Sequence, residues 1–125
     1  MIYHGRRSVA KPATERLQIL AELLFQPPLL HPSVMLRREV FVRHGGYDEA
    51  ASHAEDYALW VRLMPHARFG NCPRVLMDYT LSPAQVSRRH NVQQLATARR
   101  LRIAALGRLG IACTPEQVRI PCRLA

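Results

Sequence analysis

Nine prolines in 125 residues constrain this chain more than any other feature does. Proline donates no backbone N–H and clashes with the carbonyl four residues earlier, so it stops helices and is kept out of central strands. Pro27-Pro28, Pro65, Pro73, Pro83, Pro115 and Pro121 mark irregular connections and leave room only for short elements between them. The spacing predicts a helix from Thr14, as N-cap, to about Phe25, with Leu17, Ile19, Leu20, Ala21 and Leu24 on its apolar face. His31-Pro32-Ser33 reads as a loop entering a buried strand over Ser33–Leu36. One or two helical turns follow from Arg37 to His44, closed by Gly45-Gly46 in the left-handed conformation that suits glycine. Residues 47–53 form a polar loop, and Ala54–Met64 a helix stopped by Pro65. Short strands are expected at Arg68–Gly70 and Val75–Leu81, around the Asn71-Cys72-Pro73 turn. Asn91 to about Leu109 is the longest helix, ending at Gly110. The fold class expected is α+β, with few short strands and three main helices. So thin a sheet leaves helix faces uncovered, as in part of a larger layered domain.

The chain has the length of one small domain, with residues 1–13 as a flexible lead-in, 14–90 as the folded portion and 91–125 as a basic helix and tail. Only 6% of residues are aromatic, so the core must be largely aliphatic. The net charge of +9 is uneven: residues 87–125 hold eight arginines against a single acid, Glu116. Such asymmetry fits a phosphate-rich partner or an anionic membrane surface. Arginine outnumbers lysine seventeen to one, which equally fits a coding bias. Cys72, Cys113 and Cys122 show no paired spacing, so a disulfide framework is not expected. No apolar leader follows Met1 and no run is long enough to span a bilayer, which points to a cytoplasmic protein, at most peripheral at the inner face of the membrane.

The chemistry concentrates in Ala54-Glu55-Asp56-Tyr57-Ala58-Leu59-Trp60-Val61-Arg62-Leu63. Two acids open a helix whose remaining residues are mostly apolar. A carboxylate in a first turn sits beside the positive end of the helix dipole, where a general base can be presented to substrate. The same placement is favoured for helix stability alone. Trp60 falls one turn after Asp56 on the same face, a position that core packing explains by itself.

Together with His31-Pro32-Ser33-Val34-Met35, Gly45-Gly46-Tyr47-Asp48-Glu49, Val75-Leu76-Met77-Asp78-Tyr79 and Gln85-Val86-Ser87, this run resembles the acceptor-side half of a family 2 glycosyltransferase of the GT-A fold. The resemblance covers about half of the chain. It implies inverting transfer of a sugar from a nucleotide-sugar donor to the hydroxyl of a sugar or lipid-linked acceptor. Asp56 would be the general base, with Glu55 supporting the site. Trp60, Asp48 and His31 would contact substrate, although Asp48 also suits a turn cap and His31 a structural loop role. The full enzyme would use a divalent metal, Mn or Mg, whose Asp-x-Asp ligands are absent from this sequence. Many relatives carry Tyr-Arg-x-His where this chain has Tyr79-Thr80-Leu81-Ser82, and the Gln-x-x-Arg-Trp motif of processive synthases is missing. The resemblance therefore implies a C-terminal fragment of a non-processive enzyme, inactive without its donor-binding half.

Two other readings compete. His44, Asp48, His53, Glu55 and Asp56 could ligate a metal, but their spacing matches no known helical pair, so no metal ligand is assigned. The helix 91–109 sets Arg99, Arg100, Arg102 and Arg108 against Leu95, Leu101, Ala105, Leu106 and Leu109. That pattern fits a binding module for anionic membrane, with nucleic acid less favoured, or a helix docked on the rest of the protein.

Overall fold

The computed structural model describes residues 2–3, 6–7, 9, 11–78 and 91–118. Within them the chain is mainly helical: α1 spans Arg16–Leu23, α2 Arg38–Arg43, α3 Glu55–Leu63 and α4 Asn91–Arg108, with a 3-10 turn at His31–Ser33. Two strands of two residues each, β1 (Ile2–Tyr3) and β2 (Arg6–Arg7), pair antiparallel.

α3 is the centre. Tyr57, Ala58, Leu59, Trp60, Val61 and Leu63 are all buried, so this helix is covered on most of its circumference and its polar residues gather at the first turn and at Arg62. Leu23 of α1 and Ala98 and Ala105 of α4 complete the buried cluster, with Leu29, Val34, Val40, Phe41 and Phe69 packed around it. Polar side chains bind the parts together. The Tyr57 hydroxyl donates to Leu23 O at 2.8 Å, and Asn71 Nδ2 donates to Ala13 O at 2.8 Å and Pro28 O at 3.2 Å. α4 runs in the same direction as α3 and grips it at two places: Gln94 Nε2 donates to His53 O and Arg108 Nη1 to Val61 O. Small residues on its buried side, Thr97, Ala98 and Ala105, permit close approach.

Two helices end in the same device. After α2, Gly46 N–H donates to Phe41 O and Gly45 N–H to Val42 O, with Gly45 at φ 81 and Gly46 at φ 64. This is a Schellman motif, which satisfies carbonyls that the helix end leaves open. α4 closes the same way, with Gly110 at φ 75 and Ile111 N–H donating to Leu106 O. α3 instead meets Pro65, which has no N–H to extend the ladder.

Several expectations need correction. α1 is capped at Glu15 rather than Thr14, without a side-chain hydrogen bond. Its buried stripe is Ile19 and Leu23, flanked by Leu20 and Leu24, whereas Leu17 and Ala21 face water because they lie about 200° around the helix from Ile19. Ser33–Leu36 and Arg68–Gly70 are not strands, and neither are residues 75–78 of the segment expected as Val75–Leu81. Val34 has an extended backbone, at φ −77 and ψ 135, but no ladder partner lies beside it among the described residues. A strand requires a neighbour for its N–H and C=O groups. The described structure is thus mainly helical and does not confirm the expected α+β arrangement. Tyr79-Thr80-Leu81-Ser82, Gln85-Val86-Ser87 and Cys122 fall outside the described residues.

Candidate functional site

The acidic pair is held by the turn that leads into α3. His53 has φ 63, a left-handed conformation that costs a non-glycine residue about 1–2 kcal/mol. Its peptide is gripped on both sides. Glu55 Oε1 accepts the His53 N–H at 2.9 Å, and Gln94 Nε2 donates to the His53 carbonyl at 2.7 Å. Ala54 N–H donates to Ala51 O, so the chain turns sharply before the helix starts. Asp56 then lies in the first turn, half-buried, its Oδ1 accepting the Tyr57 N–H at 2.7 Å. A carboxylate carries about four lone-pair sites, so this bond leaves Asp56 able to accept a substrate hydroxyl. Glu55 has a structural task in closing the turn.

Aromatic rings bring the separate sequence pieces together. His31, in the 3-10 turn, stands edge-on to Tyr47 with centroids 5.8 Å apart, and tilted against Trp60 at 6.1 Å. Tyr47 meets Phe41 at 5.1 Å, and Trp60 meets Phe69 at 6.5 Å. The His-Pro-Ser loop, the Gly-Gly-Tyr-Asp turn and α3 therefore converge on one row of rings. Ser33 Oγ donates to Leu30 O, which closes the first of these loops. Arg62 Nη2 donates to Gly46 O and ties the second to α3.

The side chains differ in accessibility. His31 and Asp48 are exposed, and Asp48 Oδ1 accepts the Ala50 N–H at 3.0 Å, a turn-stabilising role. Trp60 is 1% exposed and stands in the core; its indole N–H is buried without an acceptor among the described residues. Sequence reasoning placed Tyr47 in the Gly-Gly-Tyr-Asp piece and weighed His53 as a metal ligand, but it assigned no role to the Tyr47 ring, to Gln94 or to the left-handed backbone of His53, because each acts through a partner distant in sequence or through a backbone angle. No three His, Cys, Asp or Glu side chains converge among the described residues to hold a metal ion.

The basic helix is a docked element. Arg102, expected on a solvated face, is 3% exposed and belongs to the side of α4 that packs on the core, whereas Arg100 and Arg108 remain exposed. No described helix is long and apolar enough to cross a membrane.

No protein-family model matches the chain, and no solved structure matches it significantly. Over 90 residues the chain is 30% identical to UDP-Gal:alpha-D-GlcNAc-diphosphoundecaprenol beta-1,3-galactosyltransferase of Escherichia coli. The aligned part is 71% of this chain and 32% of that protein. The similarity points to a glycosyltransferase, and the chain spans about a third of the length of the relative it matches.

Proposed function

We propose that this chain is the acceptor-side portion of an inverting, non-processive glycosyltransferase of family 2 type, with Asp56 as general base. The observation that supports this reading is that His31 meets both Tyr47 and the Trp60 of α3, the helix that bears a half-buried Asp56 in its first turn. The acceptor hydroxyl gives its proton to Asp56 as its oxygen attacks the anomeric carbon. The new glycosidic C–O bond forms while the bond to the nucleoside diphosphate breaks, and the diphosphate leaves with the electron pair. The exposed His31 and Asp48 and the ring of Tyr47 supply the contacts that orient the acceptor. Trp60 backs His31 from the core, and its own contact with the sugar belongs to the same proposal.

Similarity to the galactosyltransferase supports a nucleotide-linked sugar donor and a diphosphate-lipid-linked acceptor sugar. The donor diphosphate and its metal, Mn or Mg, fall to the rest of a longer enzyme, since this sequence holds no Asp-x-Asp. Met35, Leu36, Val75 and Leu76, all exposed on segments without regular secondary structure, are consistent with such a remainder covering them. Peripheral contact with the inner face of the membrane is part of the proposal, because the acceptor class is lipid-borne.

The test is transfer of galactose from UDP-galactose to an N-acetylglucosaminyl-diphosphate lipid by the polypeptide as it occurs in its source cells. Asp56→Asn should lower kcat by about 10²–10⁴-fold with donor binding retained. Undiminished turnover in that variant would remove Asp56 from the reaction.

A further inference from the structure

Beside the Gly45-Gly46 turn the fold gathers side chains that carry, or can take, positive charge. Arg62 reaches from α3 to donate to Gly46 O, and its Nε–H is buried without an acceptor among the described residues. His44, the last residue before the glycines, stacks on His66 from the turn after α3, with centroids 4.3 Å apart and ring planes 17° from parallel. Arg43 precedes His44 in the last turn of α2 and is exposed, as is His66. α2 also carries one acid, Glu39, a helical turn before Arg43. The surroundings act on His44: partial burial first, then the positive fields of His66, Arg43 and Arg62, hold its pKa below the usual 6.5. Like charges kept this close repel one another, and an anion with several oxygens relieves the repulsion while accepting charge-assisted hydrogen bonds.

We propose that Arg43, His44, Arg62 and His66 form a binding site for a phosphate or diphosphate group. Its assignment within the reaction rests on the transferase reading: the group is the diphosphate that joins the acceptor sugar to its lipid. The turn that bears this site continues directly into Tyr47 and Asp48, so one short loop holds both the sugar and its diphosphate. The Gly45-Gly46 turn anchors the loop, and Arg62 couples it to the helix that carries Asp56.

The experiment is an NMR titration of the histidine rings of the whole chain with inorganic pyrophosphate, with His53 as internal control. Pyrophosphate should raise the pKa of His44 and shift the His66 resonances, leaving His53 unmoved. Arg43→Gln and His66→Ala, both at exposed positions, should each weaken binding roughly tenfold. An unchanged His44 titration, or equal affinity in wild type and both variants, would overturn the site. Farnesyl diphosphate serves as a second probe: tighter binding than pyrophosphate marks a lipid-linked ligand, and equal binding marks a free anion. The two readings fail separately. Pyrophosphate binding without sugar transfer would remove the link to the acceptor, and Asp56-dependent transfer without pyrophosphate binding would remove the site alone.

Discussion

Asp56 accepts a backbone N–H from the residue that follows it, and that residue, Tyr57, sends its hydroxyl through the core to Leu23 O. The proposed base thus stands one position from the bond that fixes α3 against α1. Tyr57→Phe removes the donor and leaves a buried carbonyl unsatisfied, which should cost about 1–3 kcal/mol by chemical denaturation. His44 makes a pH prediction. Its pKa is lowered in the folded chain, so below about pH 6.5 the unfolded chain binds a proton that the folded chain resists. This contribution to stability is intact above that pH and is lost as pH falls through the folded pKa. Denaturant midpoints should therefore drop as pH falls below about 6.5 and should drop less in His44→Gln. At this scale the sequence was informative where chemistry is local. Glu55-Asp56 before an apolar run announces an acidic helix start. The left-handed His53 was hidden, because its conformation is imposed by Glu55 from one side and by Gln94, 41 residues away, from the other.

The helices were legible because their stops are chemical. Gly45-Gly46, Pro65 and Gly110 end α2, α3 and α4 near the expected positions. The helix faces were less so: Leu17 and Arg102 exchange the roles that apolar periodicity assigns them. Strand expectations at 33–36 and 68–70 failed because β structure depends on a neighbour, which a run of Val, Met and Leu cannot specify by itself. Gly46 gives the sharpest test at this scale. It has φ 64, and an added Cβ would lie 3.2 Å from Phe41 Cζ. Gly46→Ala should therefore destabilise the chain by about 1–2 kcal/mol from backbone strain alone. It should also displace Tyr47 from His31, visible as changed ring-current shifts. Gly45→Ala meets no neighbouring atom and should show the strain without the displacement.

Across the whole molecule, burial and charge fit one account. The core is built around α3 and is well covered there, yet Met35 is 97% exposed and Val75 and Leu76 are each 67% exposed. The same α3 carries the acids at one end and Arg62 toward the Gly-Gly turn at the other, so packing and candidate chemistry share one element. The sequence resemblance located these pieces, and the helical packing of α4 explains why the basic segment is more than a solvated tail. The most direct test of the central claim is amide shift mapping of the chain with N-acetylglucosamine. Shifts should be confined to His31, Tyr47, Asp48 and the Glu55–Tyr57 turn, and should weaken in Asp56→Asn. Absence of any shift, or shifts gathered on the exposed side of α4 instead, would contradict it.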